Sequence, residues 1–420
     1  MPKDRVIMLS DCQSFYASVE KSSNPQYSKK PLIVAGDPAR RSGIVLAACP
    51  IAKSYGITTA ETIREALLKC PEVIIVRPHM QRYIDVSAQI TDILRTFSDQ
   101  VEPYSIDEQF IDVSGSLTLF GGPIEIAKAI QDKVWQDTGV YVRVGIGNTK
   151  VKAKIACDLW AKKNANGIFT LTPELLPSML WPRPIGDLFM VGRRMTAHFS
   201  SMGLITIGHL AQLELAELKW RMKQKFRKNC DIDAELYWRI ANGIDDSPVN
   251  QHTHELPPKS VGHQMTLPRD YRNLYEIKTV LLELCELVCR RCRRLKVNGA
   301  VISVGVRGAD FDAHTGFSRQ SVMSDPTNAT NLVYEAARAL FQRHWDGHPV
   351  RSVGVSLSTL TDEDQYQLTM FETRPRFREL ERATDELKNK YGDAIIGRAA
   401  SFSDAGLLKD RAGKIGGHYK

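Results

Sequence analysis

Strands and helices alternate over the first 172 residues in an order that leaves few folds open. The segment RVIMLS reads as a strand ending at Asp11, and QRYIDVSAQITDILRTF as a long helix. VEPYSI and QFIDVSG read as two further strands, PIEIAKAIQDKVWQD as a second helix and YVRVGIGN as a last strand. Residues 12–78 stand apart as an insert of short elements: strands KPLIVAG, GIVLAA and EVIIVRP and helix ETIREALLKC. With the insert set aside, the order is β-α-β-β-α-β, the ferredoxin-like arrangement, and the fold class is α+β.

Residues 173–245 change character: they read as helical, short-looped and basic. DSPVNQHTHELPP, at 246–258, combines prolines and polar residues with no periodicity and reads as a linker. From 259 to 361 the order β-α-β-β-α-β returns without detectable sequence repetition, and 362–420 reads as a polar tail.

The ferredoxin-like order has a chemical consequence. Its first strand lies in the middle of the sheet, beside the hairpin strands, so Asp11 can face Asp107 and Glu108 in YSIDEQFIDVSG. Adjacent carboxylates repel, and a divalent cation with a preference for oxygen donors removes that cost. Three carboxylates converging on one point suit two-metal phosphoryl or nucleotidyl transfer. Taken alone, the acidic pair reads as a solvated turn; Asp11 and the topology give it another meaning.

Charge points to the same chemistry. The net charge is +8, with six basic residues within 219–228 and five within 290–296. Such runs in two different regions favour a polyanionic partner such as nucleic acid. No apolar run approaches the length of a membrane span, and the N-terminal residues lack a signal-peptide layout, so a cytoplasmic location is expected. The eight cysteines are scattered and form no disulfide framework. Cys285, Cys289 and Cys292 have the C-x3-C-x2-C spacing of an iron–sulfur loop. They also fall on one helical stripe with Leu281, Val288 and Leu295, where free cysteine packs as a small hydrophobe.

DCQSFYASVE, at 11–20, resembles the first motif of the Y-family translesion DNA polymerases, and YSIDEQFIDVSG resembles their hairpin motif. VGIGNTKVKAKIACDLWAKKNANG is similar to the lysine segment that ends their palm. MVGRRMTAHFSSMGLITIGHL is similar to their thumb helix-hairpin-helix, and KSVGHQMTLPRD to the opening of their little finger. The end of the chain resembles the UmuC- and UvrX-like, SOS-linked branch. The resemblance implies a right-hand polymerase: a ferredoxin-like palm at 1–11 and 79–172, fingers at 12–78 and a helix-hairpin-helix thumb at 173–245. A linker at 246–258, a βαββαβ little finger at 259–361 and a tail at 362–420 complete it.

The resemblance also implies roles. Asp11, Asp107 and Glu108, with the backbone carbonyl of Cys12, match the ligands of two Mg²⁺ ions. Tyr16 matches the gate that excludes a 2′-hydroxyl, and amides near Ser14 and Phe15 would hold phosphate oxygens. The fingers of the family carry Tyr-x-x-Arg for the triphosphate; here Pro50 and Lys53 stand at those positions. Lysine keeps the charge and loses the bidentate fork. The palm lysine is Lys162 or its neighbour Lys163. Gly192, Arg193 and Arg194 would meet the DNA backbone. Gln367, Leu368, Met370 and Phe371 resemble the short peptide that bacterial polymerases insert into the sliding clamp, the beta subunit. The expected partners are primer-template DNA, dNTP and that clamp, for a monomer with no proofreading domain and low fidelity. Two competing readings are a non-catalytic DNA- and clamp-binding scaffold and a nucleotidyl cyclase.

Overall fold

The computed structural model describes residues 5–36, 43–251, 257–310, 312–313, 315–364 and 374–419. In chain order the strands are β1 (Ile7–Cys12), β2 (Leu32–Ala35), β3 (Val45–Ala48), β4 (Ile74–Val76), β5 (Val101–Pro103) and β6 (Glu108–Asp112). They continue with β7 (Val142–Gly147), β8 (Ile168–Thr170), β9 (Ser260–Tyr271), β10 (Val297–Gly308), β11 (Gly316–Thr327) and β12 (Val350–Asp362). The chain divides into two compact units, Met1–Val34, Val45–Val76 and Gln81–Glu255 in one, Ala35–Ile44, Arg77–Met80 and Leu256–Lys420 in the other.

The first unit is built on the sheet β5-β6-β1-β7-β8. β1 is buried along its whole length, and it pairs antiparallel with β6 on one side and β7 on the other. This is the ferredoxin-like weave, with β8 added at the edge in parallel with β7. Helix Pro123–Thr138 begins with proline at its first turn, where a missing N–H costs nothing, and stops at Gly139 in the left-handed region, φ 67°. Its Ile126, Ile130 and Val134, four residues apart, are buried. The insert forms a second sheet, β3-β2-β4, with β2 and β4 parallel.

Helix Lys150–Ala156 lies close against β7 and β1 because the strand leaves room for it. Gly145 pairs with Leu9, and a Cβ on it would stand 2.1 Å from the Ala153 carbonyl oxygen and 2.4 Å from the Cys157 nitrogen. Beyond it, helices Arg193–Ser201, Ile207–Ala211, Leu215–Phe226 and Asp231–Ala241 enclose a core that includes Phe199, Leu210, Leu218 and Met222.

In the second unit the element order repeats and the weave does not. The sheet runs β11-β10-β12-β9, so its second and fourth strands are central, whereas the first and third are central in the palm-like sheet. Ile302, Val304 and Val306 of β10 and Val353, Val355 and Leu357 of β12 alternate into the core. Helix Leu274–Arg294 adds Val280, Leu281, Leu284 and Val288, and Cys285, Cys289 and Cys292 sit among them. Burial pushes these thiols up, Cys292 to about 11, and they serve as packing groups of the core. All eight cysteines are buried and unpaired.

The polar tail expected after 362 is folded from 374 onward. Helix Arg374–Tyr391 is tied to helix Leu274–Arg294 by Arg293, which donates to Asp385 at 2.6 Å, Glu381 at 3.1 Å and the Asn328 carbonyl at 3.0 Å. Further on, the Leu407 amide donates to the buried Glu283 carboxylate at 3.0 Å, and Arg411 pairs with the same group at 3.2 Å. The apolar groups of this stretch are few, so its composition read as solvated; ion pairs hold it together with Ala405 and Leu407, which join the core.

Candidate active site

Asp11 stands one residue before the end of β1, and the pairing register sets it directly across from Glu108, the first residue of β6. The Cys12 amide donates to the Asp107 carbonyl at 2.9 Å, which ties the turn before β6 to the end of β1. Burial pushes the Cys12 thiol well above its ordinary range, and the charges of Asp107, Asp11 and Glu108 push it further. All three carboxylates predicted to converge therefore lie around one residue. The Asp107 side chain accepts from the Ser105 hydroxyl at 2.7 Å, and its charge also raises the Tyr16 hydroxyl, after burial.

Two lysines and a further acid join the cluster. Among the described residues, Asp11, Glu108 and Asp158 bring carboxylate oxygens within 4.8 Å of one another, an arrangement that could hold a metal ion; Asp107 is outside that group. Lys162 lies 2.6 Å from Asp11 and 2.7 Å from Asp158, and Lys154 pairs with Glu108 and, at 3.1 Å, with Asp158. Burial pushes the Asp11 carboxyl up to about 7, aided by its hydrogen bond with Glu108 and opposed by Lys162. Burial also acts to raise Glu108, but Asp11 and Lys154 outweigh it and hold that carboxyl low. The Lys162 ammonium is disfavoured by burial, and Asp11 and Asp158 more than compensate, so its pKa stands above the ordinary lysine range. A cation, in the form of an ammonium, thus already occupies the place that the acids create. Oxygen-rich, mutually repelling and half-dry, the donor set fits a hard divalent ion.

Tyr16 and Phe15 open helix Phe15–Ser23. The Tyr16 ring stacks on Tyr83, centroids 4.5 Å apart and planes 16° from parallel, and the buried Tyr83 hydroxyl donates to Glu20 at 2.7 Å. Ser14 caps the helix in the left-handed region, φ 51°, and its hydroxyl is buried without a partner. The first intrahelical bond runs from the Ser18 amide to the Ser14 carbonyl, which leaves the amides ahead of it turned out of the helix.

Other predicted residues stand elsewhere. Lys53 is exposed on the short helix Pro50–Ser54. Pro50 takes the first helical position there, where Cys49 caps the helix by accepting from the Ala52 amide; the proline serves the helix start. Of the two palm lysines, Lys162 is the one that reaches Asp11. Gly192 caps helix Arg193–Ser201, and a Cβ there would meet nothing within 4 Å, so the protein's own packing does not require the glycine. Arg193 and Arg194 are exposed beside it. Gln367, Leu368, Met370 and Phe371 lie outside the described residues. Among the described residues no helix is long and apolar enough to cross a membrane.

Sequence reasoning missed Tyr83, Lys154 and Asp158. The lysine segment carried a signal for the last two: Lys154, Asp158 and Lys162 follow one another at four-residue spacing with alternating sign, the pattern of side chains that meet on a helix face.

The chain is similar to known proteins along nearly its whole length. Residues 10–158 match the impB/mucB/samB family and residues 258–370 its C-terminal domain. The chain is 53% identical over 421 residues to "DNA polymerase IV 2" of Bacillus subtilis (strain 168), covering 100% of both chains. It is 49% identical to a protein of the same name from Halalkalibacterium halodurans, over 99% of this chain and 100% of that one. The fold is that of a Y-family DNA polymerase chimera, Dbh-Dpo4(243-245)-Dbh, with a TM-score of 0.71, 23% identity, and 85% of this chain and 99% of that chain covered.

Proposed function

Since the chain belongs to the impB/mucB/samB family, the Y-family DNA polymerases, we propose that Asp11, Asp107 and Glu108 are the catalytic carboxylates of its translesion synthesis. The protein is a DNA-directed DNA polymerase, extending a primer along a template with dNTP. It is metal-dependent, as the family is. The scaffold and cyclase readings are not favoured. The observation that carries the site assignment is the register of β1 against β6, which sets Asp11 opposite Glu108 with Asp107 on the adjoining turn.

Asp11, Asp107, Glu108 and the Cys12 carbonyl would hold two Mg²⁺ ions. When bound, magnesium supplies acidity to the primer 3′-hydroxyl and charge neutralisation to the departing pyrophosphate. The remaining work belongs to the chain. The amides of Ser14 and Phe15, at a helix start, face phosphate oxygens as donors. Lys162 adds a positive charge to the triphosphate, and Lys53 approaches it as a point charge from the fingers. The Tyr16 ring, held flat by Tyr83, fills the space a 2′-hydroxyl would need. Gly192 lets the thumb hairpin come close to the DNA backbone, where Arg193 and Arg194 give contacts that position without reading sequence. The peptide Gln367, Leu368, Met370, Phe371 docks the monomer on a sliding clamp, and the protein works in the cytoplasm.

Primer extension on undamaged and abasic templates, with Mg²⁺ and with EDTA, tests this reading. Extension past the lesion that chelation abolishes is expected. DNA binding without extension at any Mg²⁺ concentration would return the protein to the scaffold class.

A further inference from the structure

Asp158 has no part in the family-derived scheme, yet it touches both lysines of the site. It lies on the turn Cys157–Ala161, where the Lys162 amide bonds back five residues to the Cys157 carbonyl at 3.0 Å, a wider turn than the α-helix that precedes it. Such π-type turns recur at functional sites. In a regular helix, residues four apart drift about 40° around the axis. The wider turn takes back part of that drift, so Lys154, Asp158 and Lys162 keep to one face above β1 and β6. Gly145 makes the close seat possible, since a side chain there would strike Ala153 and Cys157.

Asp11 cannot serve the Lys162 ammonium and a divalent cation with the same oxygen. A divalent cation that takes the Asp11 oxygen now 2.6 Å from the ammonium displaces Lys162 from it. Alone on a long stem it would lose its place and its alignment toward the nucleotide. Asp158, at 2.7 Å on the same helical ridge, offers an anchor that the cation does not take away. Its other contact, Lys154 at 3.1 Å, braces the lysine that pairs with Glu108.

We propose that Asp158 is a positioning residue: it retains Lys162 at the site when Asp11 turns to a divalent cation, and so assists both metal loading and the grip on the triphosphate. In this role the Asp158 carboxylate, paired with both lysines, holds them while Asp11 and Glu108 turn to the cation. The inference rests on the metal-site reading above.

The test uses the full-length protein and Mn²⁺ as probe, titrated by calorimetry without DNA, together with steady-state dNTP kinetics. Asp158→Asn keeps the shape and removes the charge. Mn²⁺ affinity should fall roughly tenfold, the scale on which outer partners of metal ligands act. The KM for dNTP should rise by a larger factor than kcat falls, and Asp158→Glu should restore part of both. In a Lys162→Met background the Asp158→Asn change should add far less, because the partner through which it chiefly acts is gone and only the brace on Lys154 remains. Wild-type Mn²⁺ affinity and KM in Asp158→Asn, or an equal loss in the Lys162→Met background, would overturn the positioning role alone. Wild-type protein that binds no more Mn²⁺ than Asp107→Ala would overturn the metal-site reading and this inference with it.

Discussion

The proposed sugar gate rests on a residue that the gate motif does not contain. Tyr16 has one face against Tyr83, and Tyr83 is locked by its bond to Glu20, itself 1% exposed. A Tyr83→Leu variant should therefore admit ribonucleotides on the order of tenfold more readily, since a modest change of pocket shape is worth that much discrimination. Single-nucleotide incorporation with dNTP and rNTP measures it, and Tyr16→Ala should show the larger effect; unchanged sugar selection in Tyr83→Leu would free Tyr16 from this support. Gly145→Ala should cost about 1–3 kcal/mol by overpacking against helix Lys150–Ala156, read as a lower urea midpoint. At this scale the nearness of Asp11, Asp107, Glu108 and Lys162 was foreshadowed in the sequence because each sits in a motif. Tyr83 was not, since its partner Glu20 lies 63 positions away and nothing local marks the pair.

Among the elements, the palm-like weave followed from the order β-α-β-β-α-β, since periodic segments and turns were plain in the sequence. The identical order in the second unit produced a different sheet, β11-β10-β12-β9, because order constrains but does not select among strand neighbours. Helix Phe15–Ser23 escaped notice: it is short, and its helical start depends on Ser14 adopting φ 51°. The helix Arg374–Tyr391 escaped for another reason, that its attachment is electrostatic. Arg293, whose side chain is 8% exposed, holds Asp385 and Glu381 together. Arg293→Ala strands two acids against the neighbouring helix and should cost about 3–5 kcal/mol. Chemical denaturation would show it as a lower midpoint, and an unchanged midpoint would mean that the helix is not part of the cooperative fold.

Over the whole molecule, charge organises binding. Lys223, Lys225, Arg227 and Lys228 are exposed near the end of helix Leu215–Phe226, while Lys219 and Arg221 are taken up by Glu235 and Glu217. Replacing Lys223 and Lys225 by Gln should weaken DNA binding alike for all sequences and flatten the salt dependence of log K by about two in slope. Fluorescence anisotropy at several salt concentrations measures both quantities, and a slope equal to wild type would place the DNA elsewhere. The most direct test of the account is primer extension by Asp107→Ala beside its affinity for primer-template DNA. The account predicts extension lost by a factor of about a thousand or more at wild-type DNA affinity, since the charge removed acts on the reacting groups and not on the duplex. Extension retained at near wild-type rate would contradict the assignment of the three carboxylates to one site.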